Sequence, residues 1–480
     1  MNKKKLFSDY LFNLLRMMMN IGIPIITLPF VLRRIGAENY GAFSYTNSII
    51  TYFTMAAVMG IPDYGARSIA KLNKKNDIIQ TSSEIFTIQM ASVSLSLFIF
   101  YTVFYPLAAE EYKKTFLVLS IIIISNLMNI EWFYIGTQRF KFMSLRATIF
   151  KVGNALAMIL LIKPGDQAEK YALIIALTSL GNGLVNLTGF IPFLRFKELK
   201  LRKHIKPILI LFGLSITSII NGNIDKTLTG YLAGPLYVGY YAVGFRLTRI
   251  VQQIFTSLNH IIFPRITSYL AQNDEKQTEK LIRFNMDYIL LLSSPILLGL
   301  SLYAERIIIL LFEKELQPAT GSFIILTGTV PVIAILNVIR RHILLPRDKE
   351  KVLIVLSLVT TAVNVVGNVA FVPQYKHIAA AAVTLAAEGM GMFYGLYYIR
   401  KKFNIHLFHP GQLKYLFSTL ILFLPYYLGY LLSPYVANLI LLLLQISLSI
   451  VLYFATLYLI KDDFFYHYTK RFGSNLLKRG

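Results

Sequence analysis

Charged and amide side chains interrupt long apolar segments of this chain, where they need a polar cavity or a partner. A charged side chain costs several kcal/mol in hydrocarbon unless it reaches the interface, pairs or faces water. Arg249 lies deep in the apolar segment that begins near Gly239. In a helix it would sit about 15 Å from the segment's end, close to the bilayer midplane. We therefore interpret Arg249 as a cationic group of a polar cavity.

Other polar residues recur at helical spacing in the first, second, seventh and eighth apolar segments. Each set would form a polar stripe along one face of a helix. Cationic side chains favour an anionic substrate, and amides suit hydroxyl groups because they donate and accept hydrogen bonds. An anionic group attached to a sugar would satisfy both. These stripes and the fifth segment predict a substrate-binding cavity lined by Arg249, Arg246, Arg16, Asn20, Asn47, Lys151, Asn154, Asn221 and Gln253.

A second interpretation applies to these residues taken singly. Ser, Thr and Asn side chains also join packed membrane helices through hydrogen bonds. Arg16 and Lys151 lie near the predicted inner ends of their helices, close enough to reach the interface with their long side chains. At those two positions the sequence leaves cavity lining and interfacial anchoring equally open.

Two acidic residues inside apolar segments, Asp225 and Glu388, are candidates for ion coupling. Asp225 and Arg246 lie at similar distances on either side of Leu236, so a hairpin that turns there would place them at one depth, and we predict that they pair. Glu388 lies in a run of Ala and Gly residues that permits close helix approach. The alternative for Glu388 is a protonated, hydrogen-bonded carboxyl that serves packing.

The elements that must position these side chains are membrane helices. The chain has 480 residues, of which 55% are hydrophobic and 15% charged, and its mean hydropathy is +0.58. This composition excludes an ordinary soluble protein and a disordered one, and the lack of cysteine excludes a disulfide framework. Because a spanning helix needs about 20 apolar residues, we predict an all-α polytopic membrane protein with about 14 transmembrane helices.

The net charge of +24 follows from topology. If both termini are cytoplasmic, most of the 48 Lys and Arg residues fall in inner segments, as the positive-inside rule requires. They form short runs between apolar segments instead of one solvent-facing surface, which argues against nucleic acid as a partner. The densest run, residues 195–204, is expected to lie on the anionic inner leaflet.

An internal repeat divides the chain. Six helices, an even number, lie between the start of one copy and the start of the other. The two copies would therefore be related by an axis along the membrane normal. We predict an N-lobe over residues 1–200 (helices 1–6), a C-lobe over 201–402 (helices 7–12), and helices 13–14 with a cytoplasmic tail over 403–480. Four residues around one hairpin recur 198 positions later, Gly36, Gly41, Arg67 and Leu72 matching Gly234, Gly239, Arg265 and Leu270.

Signatures of enzymes and cofactors are missing from the sequence. It contains no glycine-rich phosphate loop, no Ser-His-Asp spacing and no His/Glu metal cluster. The longest predicted external connection covers only residues 304–317. We therefore expect neither catalysis nor a cofactor or metal.

Three segments carry a family resemblance: Leu32-Arg-Arg-Ile-Gly-Ala-Glu-Asn-Tyr-Gly-Ala-Phe-Ser, Gly60-Ile-Pro-Asp-Tyr-Gly-Ala-Arg-Ser-Ile-Ala and Glu131-Trp-Phe-Tyr-Ile-Gly-Thr-Gln-Arg-Phe. Their order and spacing resemble the oligosaccharide (Wzx-type) flippases of the polysaccharide transporter family, in the MOP (multidrug/oligosaccharidyl-lipid/polysaccharide) exporter superfamily. The first segment looks like that family's Gly-x4-Gly element.

The resemblance implies transport of an oligosaccharide linked to undecaprenyl diphosphate or a similar lipid, from the inner to the outer leaflet of the bacterial cell membrane. Alternating access between the lobes would serve capsule, O-antigen or other surface polysaccharide synthesis. The implied partners are the bilayer, a polysaccharide polymerase and chain-length machinery.

Two alternatives remain open in the sequence. A multidrug or cation antiporter of the same superfamily would favour an acidic or aromatic cavity. A membrane-embedded polysaccharide polymerase would display carboxylates or His on a substantial outer loop.

Overall fold

The chain folds into helices joined by short connections. The computed structural model describes residues 3–432, 438–462 and 465, and these contain no β-strand. The all-α polytopic architecture expected from the sequence is confirmed. The helices are α1 Lys3–Val58, α2 Ile61–Ala70, α3 Lys75–Ile99, α4 Tyr105–Leu107, α5 Glu110–Ser125, α6 Glu131–Gly136, α7 Phe140–Leu161, α8 Ala168–Thr188, α9 Arg202–Asn221, α10 Ile224–Ala233, α11 Pro235–Ala271, α12 Glu275–Leu302, α13 Ala304–Phe312, α14 Ala319–Thr327, α15 Thr329–Asn337, α16 Glu350–Phe403, α17 Leu413–Thr419, α18 Phe423–Leu432 and α19 Asn438–Leu459.

Shorter turns complete this pattern. Two are π-helical, Phe100–Phe104 and Val338–Leu344, and six are 3-10 turns, Asn126–Met128, Ile191–Phe193, Lys314–Leu316, Leu345–Arg347, Pro410–Gln412 and Leu420–Leu422. Within the described residues, nine continuous helical stretches are long and apolar enough to span a membrane. Helices α1, α9 and α11 are not among them, and these carry the polar stripes seen in the sequence. The total of 14 spans stays a prediction.

Two long helices contain breaks at positions between predicted spans. The first two predicted spans form α1, which bends at Gly36 with φ 77° and ψ 171°. The eleventh and twelfth form α16, which bends at Lys376 with φ 53°. Gly234, between α10 and α11, has φ 94° and ψ 170°, nearly the conformation of Gly36. Glycine takes such positive φ values without a Cβ clash, so the repeat seen in the sequence is also a repeat of backbone conformation.

The two repeated hairpins contact each other reciprocally. A Cβ on Gly41 would lie 1.8 Å from the carbonyl oxygen of Pro235, and a Cβ on Gly239 would lie 2.1 Å from that of Ala37. Ala37 and Pro235 are equivalent positions of the repeat, as are Gly41 and Gly239. Only glycine therefore permits this backbone approach at both positions.

Several predicted helix limits were wrong. The seventh predicted helix, residues 207–229, is two helices, α9 and α10, separated at Gly222 and Asn223. The eighth predicted helix, residues 239–263, continues to Ala271 with Pro264 inside it. The tenth predicted helix, residues 318–339, continues through the π-helical turn to Arg347. Proline removes one backbone hydrogen bond, which a packed helix can tolerate with local bending.

The described residues form two compact units. The first contains residues 3–242 and 368–376, and the second contains 243–367 and 377–465. Residues 201–242 thus belong to the first unit. The predicted lobe limits at 200 and 402 stay a prediction.

Two of the family-like segments form a core of the first unit. Trp132 is buried, and its indole Nε1 donates to Gln89 Oε1 over 3.0 Å. A Cβ on Gly65 would lie 2.8 Å from the Trp132 ring, and one on Gly136 would lie 2.6 Å from Ile69. The small residues in these segments therefore allow α2 and α6 to pack closely.

Candidate functional site

The cationic residues of α11 lie on one face of a continuous helix in the second unit. Arg246, Arg249 and Gln253 are spaced at i, i+3 and i+7, within about 60° of one another around the helix axis. Arg246 is exposed, and Arg249 and Gln253 are half-buried. The Arg249 guanidinium lies 4.8 Å from the centroid of the Phe245 ring, a cation–π distance.

A different face of α11 packs against the protein. Thr248 and Gln252 are buried, and Gln252 Nε2 donates to Thr329 Oγ1 over 3.1 Å. On α11, the polar side chain that bonds a neighbouring helix therefore lies on one face, and the accessible side chains of Arg246, Arg249 and Gln253 lie on another. This separation agrees with the prediction that Arg246, Arg249 and Gln253 share a cavity-facing stripe, which itself stays a prediction.

The first unit contains a buried acidic site at the start of α10. The Asp225 side chain is 2% exposed, and Asn368 Nδ2 donates to Asp225 Oδ1 over 3.1 Å. The sequence could not connect Asn368 with Asp225, because 143 residues separate them. The predicted pairing of Asp225 with Arg246 stays a prediction.

A hydroxyl network adjoins this acidic site along the chain. Thr227 Oγ1 lies 2.8 Å from Ser48 Oγ and 3.0 Å from Tyr52 OH. Lys226 Nζ donates to Asn223 Oδ1 over 3.1 Å. The hydroxyl contacts of Thr227 join the second half of α1 to α10.

The remaining predicted cavity residues belong to the first unit. Asn47, Lys151, Asn154 and Asn221 are half-buried. Asn154 Oδ1 accepts a 3.3 Å hydrogen bond from Thr178 Oγ1, which joins α7 to α8 and supports the helix-packing interpretation at this position. Arg16 and Asn20 lie on α1, but their side chains are outside the described residues.

Glu388 lies on α16 and is half-buried. It interacts electrostatically with Arg340, a residue of the π-helical turn Val338–Leu344. Arg340 was not a predicted site residue, because the charge-rich residues 340–351 predict an inner loop. The signal that could have found it is the apolar sequence that continues on both sides, from Val330 to Leu345.

The π-helical turn also presents a buried histidine. His342 has no exposed surface, and its Nδ1 lies 3.0 Å from Asn285 Nδ2. This contact joins the π-helical turn to α12. Arg340 and His342 thus bring polar groups into the interior of the second unit.

An apolar groove of about 390 Å³ lies in the second unit. Its wall is formed by α11, α12, α13, α19 and the 3-10 turn at Leu422, and includes Gly299, Leu300, Ile450 and Phe454. The sequence did not predict this groove.

The few polar atoms of the groove wall already have partners. Tyr453 OH donates to the Leu291 carbonyl oxygen over 2.8 Å. Tyr303 OH lies 3.5 Å from Ser449 Oγ. The groove therefore offers an apolar lining suited to hydrocarbon.

A polytopic helical protein with polar groups inside its helices and an apolar groove has the features of a membrane transporter. Residues 6–270, more than half of the chain, match the family described as polysaccharide biosynthesis protein. The chain belongs to this family.

A relative and two solved structures agree with this assignment. The "Putative O-antigen transporter" of Escherichia coli (strain K12) is 21% identical over 379 residues, which cover 77% of this chain and 90% of that protein. The lipid II flippase MurJ, in an inward closed conformation, is similar with a TM-score of 0.75 and 16% identity, covering 95% of this chain and 99% of that chain. An inward-facing multidrug resistance MATE family transporter of the MOP superfamily has a TM-score of 0.61 and 11% identity, covering 80% of this chain and 95% of that chain.

These comparisons confirm the resemblance read from the sequence. They establish a multi-pass membrane protein in a family of polysaccharide biosynthesis, with a fold similar to that of the two solved transporters. The relative and both structures are transporters, which agrees with the expectation of a non-enzymatic protein.

Proposed function

We propose that this protein is a flippase for oligosaccharides linked to undecaprenyl diphosphate or a similar polyprenyl lipid. It moves them from the inner to the outer leaflet of the bacterial cell membrane by alternating access, with both termini in the cytoplasm. The products would enter capsule, O-antigen or other surface polysaccharide synthesis, where a polymerase and chain-length machinery act next.

One observation carries this proposal: α11 combines a cationic face and an apolar groove wall within one unit. Arg246, Arg249 and Gln253 occupy one face, and Val251 and Ile254 of the same helix line the groove. The two faces are separated by about 140° around the helix axis. A ligand with an anionic, hydroxyl-rich head and a long hydrocarbon tail matches both faces.

In this proposal the two arginines bind the diphosphate. Charge-assisted hydrogen bonds from guanidinium groups to phosphate are stronger and more specific than neutral ones. Gln253 binds sugar hydroxyls, and the prenyl chain occupies the groove beside Gly299. Asn47, Lys151 and Asn221, with Arg16 and Asn20, are proposed to line the path of the head group, whereas the Thr178 contact of Asn154 favours a packing role.

Two acidic residues are proposed to couple transport to an ion gradient. Asp225 is buried and already bonded to the Asn368 amide, and side-chain oxygens of this kind are hard-cation ligands. Glu388 has Arg340 as an electrostatic neighbour. A change in the protonation of Glu388 would alter the net charge of that half-buried pair.

Substitution of Gly299 tests the groove in proteoliposomes. A Cβ on Gly299 would meet only Leu422 Cδ2, at 3.6 Å, so Gly299→Ala is the matched control and should transport like the wild type. Gly299→Phe fills the groove. We expect it to slow translocation of a long polyprenyl-diphosphate oligosaccharide at least tenfold, while a short-chain analogue with the same head is moved at the wild-type rate.

Other outcomes would contradict the proposal. Equal effects of Gly299→Phe on long-chain and short-chain substrates would show that the groove does not hold the tail. If purified protein moves no lipid-linked oligosaccharide but exports cationic dyes, the multidrug antiporter is the better assignment. Polymerised glycan as a product would indicate the polymerase.

A further inference from the structure

The beginning of α9 presents a surface that is both cationic and apolar. Arg202, Ile205, Lys206, Leu209 and Ile210 line a surface pocket of about 460 Å³. Their spacing at i, i+3, i+4, i+7 and i+8 places all five on one helix face. All are exposed, and in the described part of the chain Arg202 and Lys206 have no hydrogen-bonding or ion-pair partner. We call these five residues the α9 strip.

The opposite face of α9 is fixed to the first unit by an ionic anchor. Glu84, which is fully buried, lies on α3, and its Oε2 accepts from Lys203 Nζ at 2.8 Å and lies 2.7 Å from His204 Nε2. Tyr64 OH lies 2.6 Å from His204 Nδ1. The helix therefore has a defined rotation about its axis.

Packing one turn further along reinforces that rotation. Ile208 is fully buried, and its carbonyl oxygen would lie 2.5 Å from a Cβ on Gly60. Because His204 and Ile208 are buried in the protein, the α9 strip must face outward.

Large apolar side chains on an outward face next to cations need an amphiphilic environment. Ile205, Leu209 and Ile210 are 44%, 49% and 58% exposed. Residues at i and i+4 lie about 5–6 Å apart at Cβ, so Arg202 and Lys206 can both donate to one phosphate. Leu209 and Ile210 lie about 5 Å further along the helix than Lys206, which is the direction that an acyl chain would follow.

We propose that the α9 strip is a binding site for one anionic phospholipid of the inner leaflet. Its phosphate is held between Arg202 and Lys206, and an acyl chain lies along Leu209 and Ile210. This specific site differs from a general attraction of the basic run, residues 195–204, to the anionic leaflet. The anchor withdraws Lys203 toward Glu84, so two particular cations define the site. The inference does not depend on which substrate is transported.

Lipid binding to the purified full-length protein tests this site. The probe is phosphatidylglycerol, and the reference is phosphatidylcholine, which carries a phosphate without net negative charge. Retained lipids are counted by native mass spectrometry across a concentration series. Two basic residues near an anionic surface each contribute roughly a tenfold preference or less, so we expect Arg202→Gln/Lys206→Gln to weaken phosphatidylglycerol binding about tenfold or more.

Two control variants and an unfolding measurement distinguish binding at this site from general charge attraction and from loss of the fold. Lys401→Gln/Lys402→Gln removes two exposed lysines at the end of α16 and should retain wild-type binding. Arg202→Lys/Lys206→Arg keeps both charges and should also bind. Thermal unfolding of each variant in phosphatidylcholine should match the wild type, because the substituted side chains are exposed.

Four results would overturn the proposal. One is an equal loss of binding in the α16 control, which would indicate general charge attraction. The second is equal affinity of the wild type for phosphatidylglycerol and phosphatidylcholine. The third is displacement of the lipid by millimolar inorganic phosphate, which would indicate an anion site without a lipid. The fourth is tighter binding of farnesyl diphosphate than of phosphatidylglycerol at this strip, which would indicate a site for the transported lipid class.

Discussion

Arg249 is the residue for which both the sequence position and the structural surroundings suit a functional charge. Its depth in an apolar segment indicated a functional charge, and the structure places it half-buried beside the Phe245 ring, on the same helix face as Arg246 and Gln253. The aromatic contact fixes the direction of the guanidinium without neutralising it. An anionic ligand can therefore still engage Arg249.

We expect Arg249→Gln to reduce binding of a polyprenyl-diphosphate oligosaccharide about tenfold to a hundredfold. A hydrogen bond to a charged group contributes about 1.5–3 kcal/mol, which corresponds to that range. Arg249→Lys keeps the charge and should lose less. Binding to the purified protein is measured by titration, and unchanged affinity in Arg249→Gln would remove this residue from the head-group site.

Not every polar residue at helical spacing has this character. Asn154 bonds Thr178 between two helices, and Gln252 bonds Thr329. The sequence could not separate such packing contacts from cavity lining, because spacing defines a helix face but not what the face meets.

At the scale of elements, glycine determines where helices bend and how closely they approach. Gly36 and Gly234 adopt similar positive φ values, and Gly41 and Gly239 bring the two repeated hairpins into backbone contact. The sequence identified these four residues as a repeat. Their reciprocal contact became evident only when the two hairpins were seen together.

Gly239→Ala should destabilise this contact. Its Cβ would lie 2.1 Å from the Ala37 carbonyl oxygen, so the backbone must move, and overpacking of this kind costs about 1–3 kcal/mol. Gly213→Ala is the matched control, because nothing lies within 4 Å of its Cβ position in α9 and alanine favours the helix. Thermal unfolding in detergent should show a lower Tm for Gly239→Ala only; a matching Tm would mean that the hairpins are not in this contact in solution.

At the scale of the whole molecule, the proposed transport cycle requires movement between the two copies of the repeat. The second half of α1 follows the first repeated glycine, and α10 precedes the second. Ser48 Oγ on α1 and Thr227 Oγ1 on α10 are 2.8 Å apart. A covalent link between these residues would restrict their separation.

The chain contains no cysteine, so an introduced pair can be crosslinked without background. We expect Ser48→Cys/Thr227→Cys to form a disulfide under mild oxidation and to stop translocation, and reduction should restore transport. Each single variant serves as a control. Full transport by the oxidised double variant would show that α1 and α10 stay together throughout the cycle.

The sequence by itself determined the helical membrane architecture, the repeat, the family and the candidate charges. These follow from composition, hydropathy period and short motifs, which are local properties. It could not determine that Asn368 meets Asp225 or that Arg340 neighbours Glu388. It also could not determine that four helices and one 3-10 turn form the wall of an apolar groove, or that Lys203 pairs with Glu84 while Arg202 and Lys206 stay without a partner among the described residues. Only the tertiary structure decided these points, because each depends on contacts between residues far apart in the chain.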